Sequence, residues 1–319
     1  EQLTKEEAHQ VLVAISAGKY NNSQISAFLT VYMMRSVSIA ELEGFRDALL
    51  ALCKPVDLSG YNTIDLCGTG GDGKNTCNIS TLASFITAGT GIHVTKHGNY
   101  GVSSISGSSN VLEQLGVSFS NQQDHLQQCL DKANICILHA PLFHPAMKNV
   151  APIRRELGVK TFFNMLGPMV NPANPKNQVV GVFSLELARK YGYLYQKGSK
   201  NFAILHAIDG YDEISLTGPV KMISNTTETM LNPASFSVNK IEASQIYGGT
   251  TVEASAHIFY DILNNQGTEA QNHVVCANAA VAISVANQCS ILDGYELAKE
   301  SLISGKAVKA LHTLQKLSK

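Results

Sequence analysis

Neither sign of charge dominates this sequence: 24 Lys and Arg face 25 Asp and Glu across 319 residues, a formal net charge of -1. A chain-wide field that would recruit DNA, RNA or an anionic membrane is thereby excluded, and any anion site must be built locally. Paired cysteines are missing too. Cys53, Cys67, Cys77, Cys129, Cys136, Cys276 and Cys289 are odd in number, scattered and never spaced C-x-x-C. That argues against a disulfide framework or a zinc site and for a reducing, cytoplasmic setting. No apolar run is long enough to span a bilayer, and the opening EQLTKEEAHQ lacks the basic start and apolar stretch of a secretory signal. Numbering starts at Glu1 rather than a Met, so a short targeting segment could precede it. Internal repeats and low-complexity linkers are absent.

What remains is the composition of a folded globular chain, 45% hydrophobic and 15% charged, with a length that suits one large domain and a smaller companion. The first part reads as helices. Thr4 with Glu7, and Ser38 with Glu41, fit the capping box, in which a hydroxyl and a carboxylate reciprocally satisfy free N–H groups of a first turn. Between them Ser23 is the expected cap of a third segment, whose Ile25, Phe28, Leu29, Tyr32 and Met33 recur at helical spacing. Leu42, Phe45, Leu49 and Leu52 carry the period on to Pro55. Residues 1 to about 60 therefore form a small helical N-terminal domain.

From Asn62 short apolar runs alternate with amphipathic stretches. Strands are expected at Thr63–Cys67, His93–Lys96, Ile135–His139, Val179–Phe183 and Phe202–His206, with helices from about Thr81 and around Asn110. An Ala- and Val-rich stretch, Glu269–Asn287, reads as a buried helix. Such alternation predicts an α/β domain over 61–319 whose mostly parallel central sheet is covered by helices.

The most informative stretch, Asp65-Leu-Cys-Gly-Thr-Gly-Gly-Asp-Gly-Lys-Asn-Thr-Cys-Asn-Ile-Ser-Thr81, runs from a strand through four glycines into a helix. Glycines let backbone N–H groups approach phosphate oxygens, and a helix start adds a favourable dipole, so a phosphorylated ligand is expected. Three other readings are weaker. Gly68, Gly70 and Gly73 match G-x-G-x-x-G, but Val94, Thr95 and Lys96 stand where an acidic residue should follow roughly twenty positions on. Gly68 with Gly73 and Lys74 resembles a P-loop, but Asn75 replaces the Ser or Thr that should hold magnesium. A plain tight turn needs fewer glycines.

Gly68-Thr-Gly-Gly-Asp72, Asn78-Ile-Ser-Thr81, Lys96-His-Gly-Asn99, Ser106-Gly-Ser108 and Arg154-Arg-Glu-Leu-Gly158 leading into Phe163-Asn-Met-Leu-Gly-Pro168 occur in that order. Together they resemble the motifs of anthranilate phosphoribosyltransferases, and the likeness covers essentially the whole chain. It implies transfer of 5-phosphoribosyl from phosphoribosyl pyrophosphate (PRPP) to the amine of anthranilate, releasing pyrophosphate, in the second step of tryptophan biosynthesis. Helices from about 145–172 would complete the N-terminal domain, through which a homodimer is implied. The donor would be held by Gly68, Thr69, Gly70, Gly71, Asp72, Thr76, Asn78, Ser80 and Thr81, with Lys96, Gly107 and Ser108 also on its phosphates. Gly68, Asn99, Arg154, His97, His144 and Pro168 would form the acceptor site. Arg154 would grip the anthranilate carboxylate bidentately, leaving Arg155 to the surface.

Asp212 and Glu213 match the family's metal pair and, with Ser80, would hold Mg2+, two ions in all. Adjacent carboxylates point apart on a regular strand or helix, so they converge only from a loop, which Gly210 makes plausible. No general acid or base is expected, because an aromatic amine is neutral at pH 7. Departures from the family pattern are Cys77 for Phe, Tyr100 for Arg, Asn110 for Asp and Lys160 for a second Arg; none removes a named ligand. A pyrimidine nucleoside phosphorylase-like enzyme is an alternative, set against by the Arg154–Gly158 motif. A non-catalytic, nucleic-acid-binding paralogue of the fold is another, disfavoured by the charge balance.

Overall fold

The computed structural model describes residues 2–101 and 105–318. The chain divides into two compact units, one comprising Glu1–Val56 and Ala140–Asn174, the other Asp57–His139 and Pro175–Lys319.

The first unit is helical: α1 (Lys5–Ser16), α2 (Asn22–Met34) and α3 (Ile39–Leu52), joined by short helices Ala140–Phe143 and Ala151–Leu157 and by single 3-10 turns. Both expected capping boxes are present, Thr4 with Glu7 on α1 and Ser38 with Glu41 on α3. Ser23 is not the cap of α2. Asn21 is, its side chain accepting from Gln24 N–H at 2.9 Å while Gln24 accepts from Asn21 N–H at 3.0 Å. A reciprocal pair satisfies two first-turn donors where one hydroxyl satisfies one. The rings of Phe28, Tyr32, Phe45, Phe162 and Phe163 pack edge-on and stacked at the centre of the unit.

The second unit carries β1 (Thr63–Gly68), α4 (Ile79–Gly89), β2 (His93–Gly98), α5 (Ser108–Gln114), α6 (Gln123–Ala133), β3 (Ile135–His139), β4 (Asn177–Gly181), α7 (Leu185–Tyr195), β5 (Asn201–Ala207), β6 (Val220–Ser224) and β7 (Glu228–Leu231). It ends in α8 (Val252–Leu263), α9 (Glu269–Asn287), α10 (Ile291–Ile303) and α11 (Lys306–Leu317). The sheet runs β3-β2-β1-β4-β5-β6-β7, parallel through β5 and antiparallel for the last two strands. The expected α/β class is found, with β6 and β7 added at one edge. The Ala- and Val-rich segment is indeed a buried helix: α9 buries an unbroken run from Val274 to Ile283 and packs on α4, α10 and the middle strands.

Candidate active site

In an open parallel sheet, ligands bind outside the carboxyl ends of the strands where the winding direction reverses. Here β1 lies between β2 and β4, so that point falls between β1 and β4, where Gly68 stands opposite Gly181. The glycine loop leaves β1 there, Thr69 N–H donating to Gly181 O at 2.9 Å. Gly70, Gly71 and Gly73 all hold positive φ, between 64° and 76°, which glycine alone adopts without strain. The loop ends at Asn78, and α4 begins at Ile79, about two positions before the expected start near Thr81. Thr69 Oγ1 is buried in the loop without a hydrogen-bond partner.

Asp212 and Glu213 follow β5 in a turn at Gly210, whose φ is 97°, and whose N–H donates to Ala207 O at 2.9 Å. The turn brings both carboxylates to the glycine loop: Asp212 Oδ2 accepts from Gly70 N–H at 2.7 Å and Glu213 Oε1 from Ser80 N–H at 2.8 Å. Approach is this close because the strand-end glycines allow it. A Cβ on Gly181 would overlap the Asp212 carbonyl, and one on Gly68 would crowd its carboxylate. A small cavity opens here, lined by Leu66, Cys67, Ser80, Asp212, Glu213 and Asn278 among others.

Asn278, in the middle of α9, is absent from the set read off the sequence. Its side chain accepts from Ile214 N–H at 3.0 Å and donates to Ile214 O at 2.8 Å, clamping the residue after the carboxylate pair. An amide interrupting the apolar run Val274–Ile283 is its only sequence signal.

Burial, then the charges of Glu213 and Asp72, push the Asp212 carboxyl well above the usual carboxylate range. Burial likewise pushes Glu213 up, to about 7, against the opposing pull of the Ser80 N–H. Asp212 is buried and Glu213 half-buried; each takes one loop amide, and a third acid, Asp72, stands near them. Lys96, 2% exposed, donates to Leu66 O at 2.7 Å, and burial draws its pKa down.

Beyond Lys96 the chain reaches His97, whose N–H donates to the fully buried Asp65 at 3.2 Å, and the exposed Asn99. Asn99 O accepts from Ser108 Oγ and Ser109 N–H, each at 3.2 Å. Asn110 fastens the same loop, its side chain accepting from Gly101 and Gly107 N–H at 2.9 and 3.0 Å. Tyr100 donates to Glu113 at 2.7 Å and packs edge-on against His139. Thus Gly68, Thr69, Gly70, Gly71, Asp72, Thr76, Asn78, Ser80, Thr81, Lys96, Asp212 and Glu213 share one region of this unit, with Gly107 and Ser108 at the start of α5.

Arg154, His144 and Pro168 belong to the helical unit. Arg154 donates to Asn164 Oδ1 at 3.2 Å and lies 5.3 Å from the Phe163 ring; burial lowers its pKa, while Arg155 is exposed. His144, 4% exposed, is pushed down to about 4 by burial, against main-chain contacts at Val170 and Leu49. It is a neutral ring at pH 7. Pro168 is buried in the turn Gly167–Val170.

Residues 1–53 match the glycosyl transferase family helical bundle domain and residues 60–308 the glycosyl transferase family a/b domain. The chain is 66% identical over 318 residues to an anthranilate phosphoribosyltransferase of Flavobacterium johnsoniae, covering all of this chain and 96% of that protein. The crystal structure of the anthranilate phosphoribosyltransferase from Thermus thermophilus superposes with a TM-score of 0.93 at 31% identity, over 100% of this chain and 96% of that one. The Saccharomyces cerevisiae enzyme in complex with PRPP and Mg gives 0.92 at 26% identity, over 99% and 93%. With both of its parts matched and two thirds of its residues shared with a full-length relative, the chain belongs to the anthranilate phosphoribosyltransferase family.

Proposed function

We propose that this chain transfers the 5-phosphoribosyl group of PRPP to the amine of anthranilate with release of pyrophosphate, the second step of tryptophan biosynthesis. The observation that carries the reading is a strand-end glycine loop held against Asp212 and Glu213 through the Gly70 and Ser80 amides. We assign the donor to the backbone of Gly68–Asp72, to Thr76, Asn78, Ser80 and Thr81, and to Lys96, Gly107 and Ser108. The unpartnered Thr69 hydroxyl is a ready donor in that cradle.

Asp212, Glu213 and Ser80 are assigned to Mg2+, two ions in all. Among the described residues no group of three or more His, Cys, Asp or Glu side chains is placed to hold an ion; magnesium held by one or two carboxylates commonly takes its other ligands from phosphates and water. When bound, magnesium supplies positive charge to the leaving diphosphate.

Breaking the C1–oxygen bond leaves positive charge on the ribose and negative charge on the diphosphate. The glycine loop and Lys96 are assigned to the latter, placed there before reaction. On the acceptor side we assign the anthranilate carboxylate to Arg154, which Asn164 already orients, and the amine to Asn99. Gly68, His97, His144 and Pro168 are assigned to the ring; a neutral His144 suits an apolar contact. The amine attacks as a neutral group, so no side chain is assigned as acid or base.

The proposal extends to a homodimer through the helical unit, supported by the exposed Val31, Met33 and Met34 on α2, and to a cytoplasmic setting, supported by seven free thiols. Mixing protein, PRPP, magnesium and anthranilate should deplete anthranilate fluorescence, with no change when PRPP or magnesium is omitted. A steady signal in the complete mixture would sink the assignment.

A further inference from the structure

A stretch of chain that the assignments above leave without a role grips the glycine loop from outside. Residues Ile246–Gly249 run antiparallel to Asn75–Cys77. Cys77 N–H donates to Ile246 O and Gly248 N–H to Asn75 O, each at 2.9 Å, while Thr76 and Tyr247 form the bridging pair. Asn75 adds its side chain, donating to Gly249 O at 2.7 Å. There is no spare room: a Cβ on Gly248 would run into the Thr76 carbonyl, and Gly249 sits at φ 89°. Behind the strap stands Ser255, 4% exposed, its Oγ 2.6 Å from Gly248 O. Ser255 lies on α8, which packs against both α4 and α5.

We propose that the strap Ile246–Gly249, fastened by Ser255 and Asn75, is a positioning element that holds the glycine loop in its donor-binding shape. The inference rests on the assignment of PRPP to that loop. A segment with three glycines at positive φ has many conformations to lose when it wraps a diphosphate. An external clamp lowers that cost before the donor arrives, raising affinity without touching the ligand. It also gives Asn75 a purpose: the residue that spoils a P-loop reading is the one that ties loop to strap. None of the strap side chains takes part in the chemistry, so its influence should fall on donor affinity and spare turnover at saturation.

Calorimetric titration of the full chain with PRPP and magnesium, alongside steady-state kinetics, tests this in Gly248→Ala and Ser255→Ala. Ser255→Ala should weaken donor binding roughly fivefold, the equivalent of one hydrogen bond. Gly248→Ala, which forces the strap off the loop, should weaken it on the order of tenfold or more. Turnover at saturating donor and the anthranilate constant should stay within about twofold in both. If Gly248→Ala does not fold, Ser255→Ala decides alone. Donor affinity unchanged in folded variants would overturn the proposal, as would equal losses toward donor and acceptor. Failure of the unmodified chain to bind PRPP would overturn the donor assignment itself, and this inference with it.

Discussion

Each unit of this chain buries carboxylate, and the two burials differ in what surrounds the charge. In the helical unit Glu41, fully buried, accepts from Leu3 N–H, Ser38 N–H, Tyr32 OH and both terminal nitrogens of Arg35. Burial alone would raise its pKa, but Arg35 and the two amides outweigh that and hold it down at about 2. In the sheet unit Asp212 and Glu213 receive one amide each from the glycine loop, and burial with neighbouring acids pushes both up. A buried charge with complete partners fixes a fold. Neighbouring acids that raise one another's pKa cost stability and mark candidate functional sites.

Neutralising the second pair should break the comparison most visibly. Asp212→Asn with Glu213→Gln is expected to lower turnover on the order of a thousandfold, the scale of losing electrostatic stabilisation of a leaving group. Melting of the unliganded chain should be unchanged or higher, because buried repulsion is removed. A parallel loss of stability would show that the pair holds the fold as Glu41 does.

Glu41→Gln is the converse. It leaves Arg35 facing a neutral amide and should cost about 3–5 kcal/mol at pH 7 by urea unfolding. Because the folded-state pKa lies below the unfolded one, this contribution is present above about 4.5 and lost as pH falls toward about 2. The gap between variant and parent should therefore narrow in acid; a gap independent of pH would assign the loss to packing.

The difference between these two sites explains what is legible in the sequence. Glu41 is readable as a capping residue because Ser38 stands three positions before it, and parallel strands are readable where short apolar runs such as Ile135–Leu138, Val179–Val182 and Phe202–Leu205 alternate with helical stretches. The convergence of Asp212 and Glu213 can be inferred because Gly210 marks a turn. Local pattern is silent on long-range pairing. Nothing near Asn278 says that its amide meets Ile214, and nothing near Gly248 says that its N–H meets Asn75. The β6–β7 hairpin escapes a pattern reading for another reason: half-buried Lys221 and Ser224 and exposed Glu228 and Thr229 interrupt its few apolar residues. Ser23 reads as a cap because a single hydroxyl looks sufficient until Asn21 and Gln24 are seen to satisfy each other.

Acid titration sharpens the contrast at smaller cost. Glu213 has a folded-state pKa raised to about 7 from about 4.5, so the folded chain holds a proton that the unfolded chain releases. Its stabilising share is complete below about 4.5 and is lost as pH rises through about 7. Melting of the unliganded chain should thus fall between pH 5 and pH 8 in the parent (roughly that window), and the slope should flatten in the Asp212→Asn, Glu213→Gln double variant. An identical slope in both would assign it elsewhere.

The smallest effect is expected at an exposed carboxylate that water already serves. Glu113 accepts the Tyr100 hydroxyl at 2.7 Å on an exposed surface, where a polar contact exchanges with solvent at little net gain. Tyr100→Phe removes the hydroxyl and keeps the ring against His139, so stability should change by less than about 0.5 kcal/mol. If urea unfolding shows a loss comparable to Glu41→Gln, then burial does not separate the carboxylates of this chain, and the distinction between the sites must rest on their partners alone.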